Sequence, residues 1–250
     1  MDESGVNIDS LERSGADVVH ISPSHHFPTG TVTPASRRYE LLGWAAKQEG
    51  RYIIEDEYDS EFRLVGNPIP ALQSIDASDK VIYMNTFSKS LSSTIRISYM
   101  VLPIPLMVRY NHVLSFYACT VSNFDQYTLT RFIQEGYLEK HINRMRKFYR
   151  NSRDRILGCI RSHRLYPQVT IKEENAGLHF LMEIDTSYTD REMVDRAAAA
   201  GINISSLSQY CHGKEQEDSH TLVINYSGIE EDIIEEACDR LLESVVRLTT

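Results

Sequence analysis

No stretch of the 250-residue chain approaches the ~20 consecutive apolar residues that a membrane-spanning helix needs. The first nine residues are polar and acidic, unlike the apolar core of a signal peptide. Positive charge is also scarce: 26 Lys and Arg face 35 Asp and Glu, for a net charge of −9. Wrapping nucleic acid needs a basic face, so no direct nucleic-acid binding by this chain is expected. Cysteines are few and far apart, at Cys119, Cys159, Cys211 and Cys238, with no CxxC pair and no metal-like spacing. They read as reduced thiols of a cytoplasmic protein, with no metal site. No internal repeat or low-complexity tract occurs. What remains is ordinary globular composition, 42% hydrophobic and 24% charged, in a chain long enough for one full α/β domain or a larger and a smaller one.

The apolar residues come in short runs separated by polar turns. Residues 16–22 (ADVVHIS), 51–56 (RYIIED), 80–84 (KVIYM) and 95–102 read as strands. A helix is expected from Pro34, with Thr33 as its cap and Leu41, Leu42, Trp44 and Ala45 on its apolar face, ending at Gly50. Residues 57–73 form a polar loop with Gly66, Pro68 and Pro70. This order predicts an α/β fold with a mostly parallel sheet. From Asn123 two helices follow, 123–135 and a long basic one at 138–163. Four further strands (169–172, 178–184, 202–206, 221–226) then alternate with helices at 190–200 and 230–248. A boundary near residue 145 divides a large domain, 1–145, from a smaller α+β domain, 146–250.

Chemistry gathers just after strand ends, where ligands of open α/β sheets sit. Lys89, in Thr86-Phe87-Ser88-Lys89, can react with an aldehyde if a closed pocket desolvates it. Asp56 could pair with a protonated ring nitrogen, and Tyr58 would point the same way in extended chain. Arg96, with hydroxyls nearby, matches phosphate geometry. Taken singly, the residues favour a bland role: a surface lysine, a solvated acidic loop, a strand-edge arginine. Their order and placement together favour a site. His25-His26 are adjacent in a loop without an evident third ligand, so a structural role is expected.

These stretches resemble a known family. Ser22-Pro23-Ser24-His25-His26-Phe27-Pro28-Thr29-Gly30, then Ile53-Ile54-Glu55-Asp56-Glu57-Tyr58-Asp59-Ser60-Glu61-Phe62-Arg63, resemble segments of MocR-type regulators. These are GntR-family transcription factors that carry an aminotransferase-like domain. Pro70 to Gln73, Tyr83 to Lys89, Arg96 to Pro103 and Glu139 to Arg146 continue the likeness in order. The resemblance implies a fold-type I, pyridoxal-phosphate-dependent transferase-like domain with the N-terminal part of its large domain missing. It implies pyridoxal 5'-phosphate as cofactor, linked to Lys89 as an internal aldimine. Asp56 would hold the pyridine nitrogen, Tyr58 the ring oxygen, and Thr86 and Arg96 the phosphate, with Ser88 a further phosphate contact.

Two positions depart from related transaminases. Phe27 stands where many have Asn before Pro-Thr-Gly. Val223, in Leu222-Val223-Ile224-Asn225-Tyr226, stands where many carry an Arg for the substrate carboxylate. The functional expectation is amino-group transfer through Lys89. The alternatives are a non-catalytic effector-sensing domain of a MocR-type regulator, or an incomplete piece inactive alone. The expected partners are an amino acid or other amine, as substrate or effector, and a second copy in a homodimer, with no membrane.

Overall fold

A computed structural model describes residues 1–67, 69–211 and 218–246, so Pro68, Arg247 and Leu248 lie outside the described residues. The chain divides into two compact units. The first comprises Met1–Phe27 and Thr31–Met145, the second Pro28–Gly30 and Arg146–Thr250. Among the described residues, no helix is long and apolar enough to cross a membrane.

The first unit opens with helix α1 (Ile8–Ser14), capped by the Asn7 side chain and closed by Gly15 at φ +66°. Strand β1 (Val18–Ile21), helix α2 (Ala35–Ala46), strand β2 (Tyr52–Glu57) and strand β3 (Val81–Thr86) follow. A single turn, α3 (Phe87–Ser90), leads to strand β4 (Ser98–Val101). The sheet order is β1-β2-β3-β4, with the first three parallel and β4 antiparallel. Leu11, Ile21, Leu41, Trp44, Ala45, Ile53, Leu72 and Val81 form the core, so α1, α2 and the loop after β2 cover one sheet face. At ~25 cal/mol per Å² of apolar surface, this burial is the main source of the unit's stability.

Three sequence expectations change here. Thr33 does not cap α2. Its hydroxyl meets His26 Nε2 at 3.0 Å and its carbonyl accepts from Arg38, so Pro34 opens the helix without a side-chain cap. The helix stops at Ala46 rather than Gly50. The fourth strand is shorter than the 95–102 run. The carbonyl of Ile95 accepts from the Ser88 hydroxyl, and that of Ile97 from the Phe87 amide, so the run's beginning serves α3 instead of the ladder.

Helices α4 (Ile104–Leu114) and α5 (Asn123–Gln134) and the start of α6 (Tyr137–Ser162) complete this unit. α4 was not read from the sequence. Residues 104–145 include no buried side chain, although Phe116, Tyr117, Phe124 and Tyr127 are among them.

The second unit takes the rest of α6, then strands β5 (Val169–Lys172) and β6 (His179–Ile184), helix α7 (Asp190–Ala199), strands β7 (Ser205–Ser206) and β8 (Thr221–Asn225), and helix α8 (Ile234–Val245). Its sheet is antiparallel throughout, in the order β5-β6-β8-β7. Thr189 and Glu192 form a reciprocal capping box at the start of α7. Ile234, Leu241, Leu242 and Val245 form the buried stripe of α8.

Candidate functional site

Strand β2 alternates strictly. Ile53, Glu55 and Glu57 are buried, whereas Ile54 and Asp56 on the opposite face are half-buried. Both buried carboxyls accept from main-chain amides. Glu55 accepts from the amides of Leu72 at 2.6 Å and Gln73 at 2.9 Å, and lies 3.8 Å from the Arg38 guanidinium. Burial raises its pKa, and the two amides partly oppose the shift. Glu57 accepts from the Ser24 amide at 3.3 Å, and burial pushes its carboxyl up to about 7. His25 Nδ1 meets Asp59 Oδ2 at 2.9 Å, and burial drives the His26 imidazole down to about 4. Both histidines are buried in this unit.

On the other face, Asp56 Oδ2 accepts from His20 Nε2 at 3.1 Å. Tyr58 follows Asp56 with the same alternation and is half-buried. Its hydroxyl donates to the His25 carbonyl at 3.0 Å and lies 3.4 Å from His25 Nδ1. Burial, then neighbouring carboxylates, raise the pKa of that hydroxyl, so it stays a neutral donor.

Parallel pairing sets Asp56 opposite Met84 on β3, two residues before Thr86. A strand spacing of about 4.8 Å and a rise of about 3.3 Å per residue put the Asp56 and Thr86 backbones about 8 Å apart. Thr86 caps α3 by accepting from the Ser88 amide at 3.2 Å. The Ser88 hydroxyl donates to the Ile95 carbonyl at 3.0 Å and receives Arg96 Nη1 at 3.3 Å. Arg96 also borders an open cleft of about 500 Å³, which runs along the turn after α3 to Ser122 and Asp125 at the start of α5. Lys89 lies on α3 with its side chain exposed, so among the described residues of this unit no closed pocket surrounds it.

The donor set suits pyridoxal phosphate. A carboxylate matches its ring nitrogen, and a guanidinium with two hydroxyls matches its phosphate. The Lys89 amine matches its aldehyde. Sequence reasoning overlooked His20. The available signal was a histidine inside an otherwise apolar strand, on the face that Asp56 shares.

Comparison with known proteins identifies the family and the fold. The family profile named Aminotransferase class I and II matches residues 5–241. The uncharacterized HTH-type transcriptional regulator YdeL of Bacillus subtilis (strain 168) is 39% identical over 96% of this chain and 51% of its own length. The probable rhizopine catabolism regulatory protein MocR of Rhizobium meliloti is 30% identical over 99% of this chain and 50% of its own. The chain therefore spans about half the length of the curated relatives it matches. Among solved structures, Pyrococcus horikoshii kynurenine aminotransferase in complex with PMP superposes with a TM-score of 0.83 at 27% identity, over 98% of this chain and 62% of its own. A multiple substrate aminotransferase from Thermococcus profundus gives 0.82 at 25% identity, with the same coverage of both chains. The fold is that of fold-type I aminotransferases, and the chain belongs to the aminotransferase class I and II family, where it resembles the aminotransferase-like domain of MocR-type regulators.

Proposed function

We propose that the chain binds pyridoxal 5'-phosphate and exchanges an amino group between an amine donor and a keto acid, with Lys89 as the catalytic residue. The observation that carries this reading is the β2–β3 register, which sets Asp56 beside the strand that ends in Thr86 and leads directly into α3, where Lys89 lies. When bound, the cofactor supplies an aldehyde for an amine and an electron-withdrawing ring for the substrate's α-carbon. In this reading, Asp56 holds the ring nitrogen through a charge-assisted hydrogen bond. Thr86, Ser88 and Arg96 bind the phosphate, and Tyr58 donates towards the ring oxygen, giving up its bond to the His25 carbonyl. Lys89 supplies the anchoring amine. Once free, its Nζ would take the proton from the substrate's α-carbon and pass that proton to the carbon that was the cofactor's aldehyde carbon. A homodimer in the cytoplasm is part of the proposal.

A second reading has specific support. The curated relatives include transcription regulators, and Val223 stands where an arginine would meet a substrate carboxylate. In that reading the domain binds the cofactor and an amine as an effector, without turnover.

The test is incubation with pyridoxal phosphate, an amino acid and an acceptor keto acid. Keto-acid product that disappears in Lys89→Ala supports transfer. An absorbance shift on adding amine, with no product, supports sensing. Failure to bind the cofactor contradicts both readings.

A further inference from the structure

We infer that His20 is a positioning residue for Asp56, holding one carboxylate oxygen so that the other faces the ring nitrogen of the cofactor. The inference rests on the cofactor reading above and adds a residue to it. β1 and β2 pair in parallel with His20 opposite Ile54, and Asp56 lies two residues farther along the same face. The imidazole therefore leans along the sheet to Asp56, and Nε2 comes to 3.1 Å from Oδ2. A carboxylate can only accept, so Nε2 carries the proton and donates it.

The contact is open to solvent, with the His20 side chain 61% exposed and that of Asp56 35% exposed. An exposed pair of this kind contributes little to fold stability. Its consequence is geometric. Among the described residues, His20 is the one side-chain hydrogen-bond partner of Asp56, and the residue facing Asp56 across β3 is Met84, which offers no donor. Without His20, the carboxylate turns freely about its last torsion and the solvent holds both oxygens. With it, Oδ2 is tied and Oδ1 stays available. The neighbouring acids need no such aid, because main-chain amides grip Glu55 and Glu57.

The experiment is a set of pyridoxal phosphate titrations followed by absorbance and fluorescence, on wild type, H20A, H20Q, D56N and H20A/D56N. Groups that orient a ligand-binding side chain typically contribute about 10–100-fold to affinity at metal sites. A weakening of about tenfold is expected for H20A, with a changed absorbance band and an unchanged Tm. H20Q, which keeps a donor, restores most of the affinity. In the D56N background, H20A adds nothing further, because His20 acts through Asp56. Wild-type affinity in H20A, or an equal loss in the D56N background, overturns the inference while leaving the cofactor reading intact. A wild type that binds no cofactor overturns both.

Discussion

On the inward face of β2, Glu55 and Glu57 are buried and held by main-chain amides; on the outward face, Asp56 meets the single imidazole of His20. The three acids are consecutive on alternate faces, and strand alternation alone sends them into opposite environments. An acid whose acceptors are saturated by the fold braces a loop. An acid with an oxygen to spare can meet a ligand. The contrast predicts a double dissociation between stability and cofactor binding.

The largest effect is expected on the inward face. Glu55→Ala strands the buried Arg38 and two amides, and should lower unfolding free energy by about 3–5 kcal/mol in denaturant titrations. A loss below ~1 kcal/mol would break the comparison. Next comes Glu57, whose carboxyl is pushed from 4.5 up to about 7 by burial. Between those pH values the folded chain keeps a proton that the unfolded chain releases, so this group's contribution falls as pH rises, by roughly 3 kcal/mol in all. His26, pushed from 6.5 to about 4, works oppositely: it adds stability as pH rises through that window. The difference between Glu57→Gln and wild type isolates the carboxyl. The variant should gain roughly 3 kcal/mol relative to wild type on going from pH 4.5 to 7; a pH-independent difference would contradict it. The smallest stability effect is on the outward face. Asp56→Asn should change unfolding free energy by less than about 0.5 kcal/mol. It should nonetheless weaken pyridoxal phosphate binding at least tenfold in the same absorbance titration.

Much of the first unit was legible because short apolar runs broken by polar turns have few solutions. The runs ADVVHIS, RYIIED and KVIYM became β1, β2 and β3 with small shifts at their ends. What escaped depends on contacts that a linear reading lacks. Thr33 is a good cap by type, but His26 and Arg38 claim its polar atoms. Residues 95–97 look like strand, but Ser88 and Phe87 take their carbonyls. His20 gains meaning only once the register with β2 is known.

Lys89 and Arg96 are exposed, and so is the apolar surface of α4 and α5.

The central claim is a covalent one, and peptide mapping tests it directly. Protein incubated with pyridoxal phosphate, reduced with borohydride, digested and analysed by mass spectrometry should carry the phosphopyridoxyl mass on the peptide containing Lys89. The label should be absent from Lys89→Ala. Label spread over other lysines, or none at Lys89, would contradict the account.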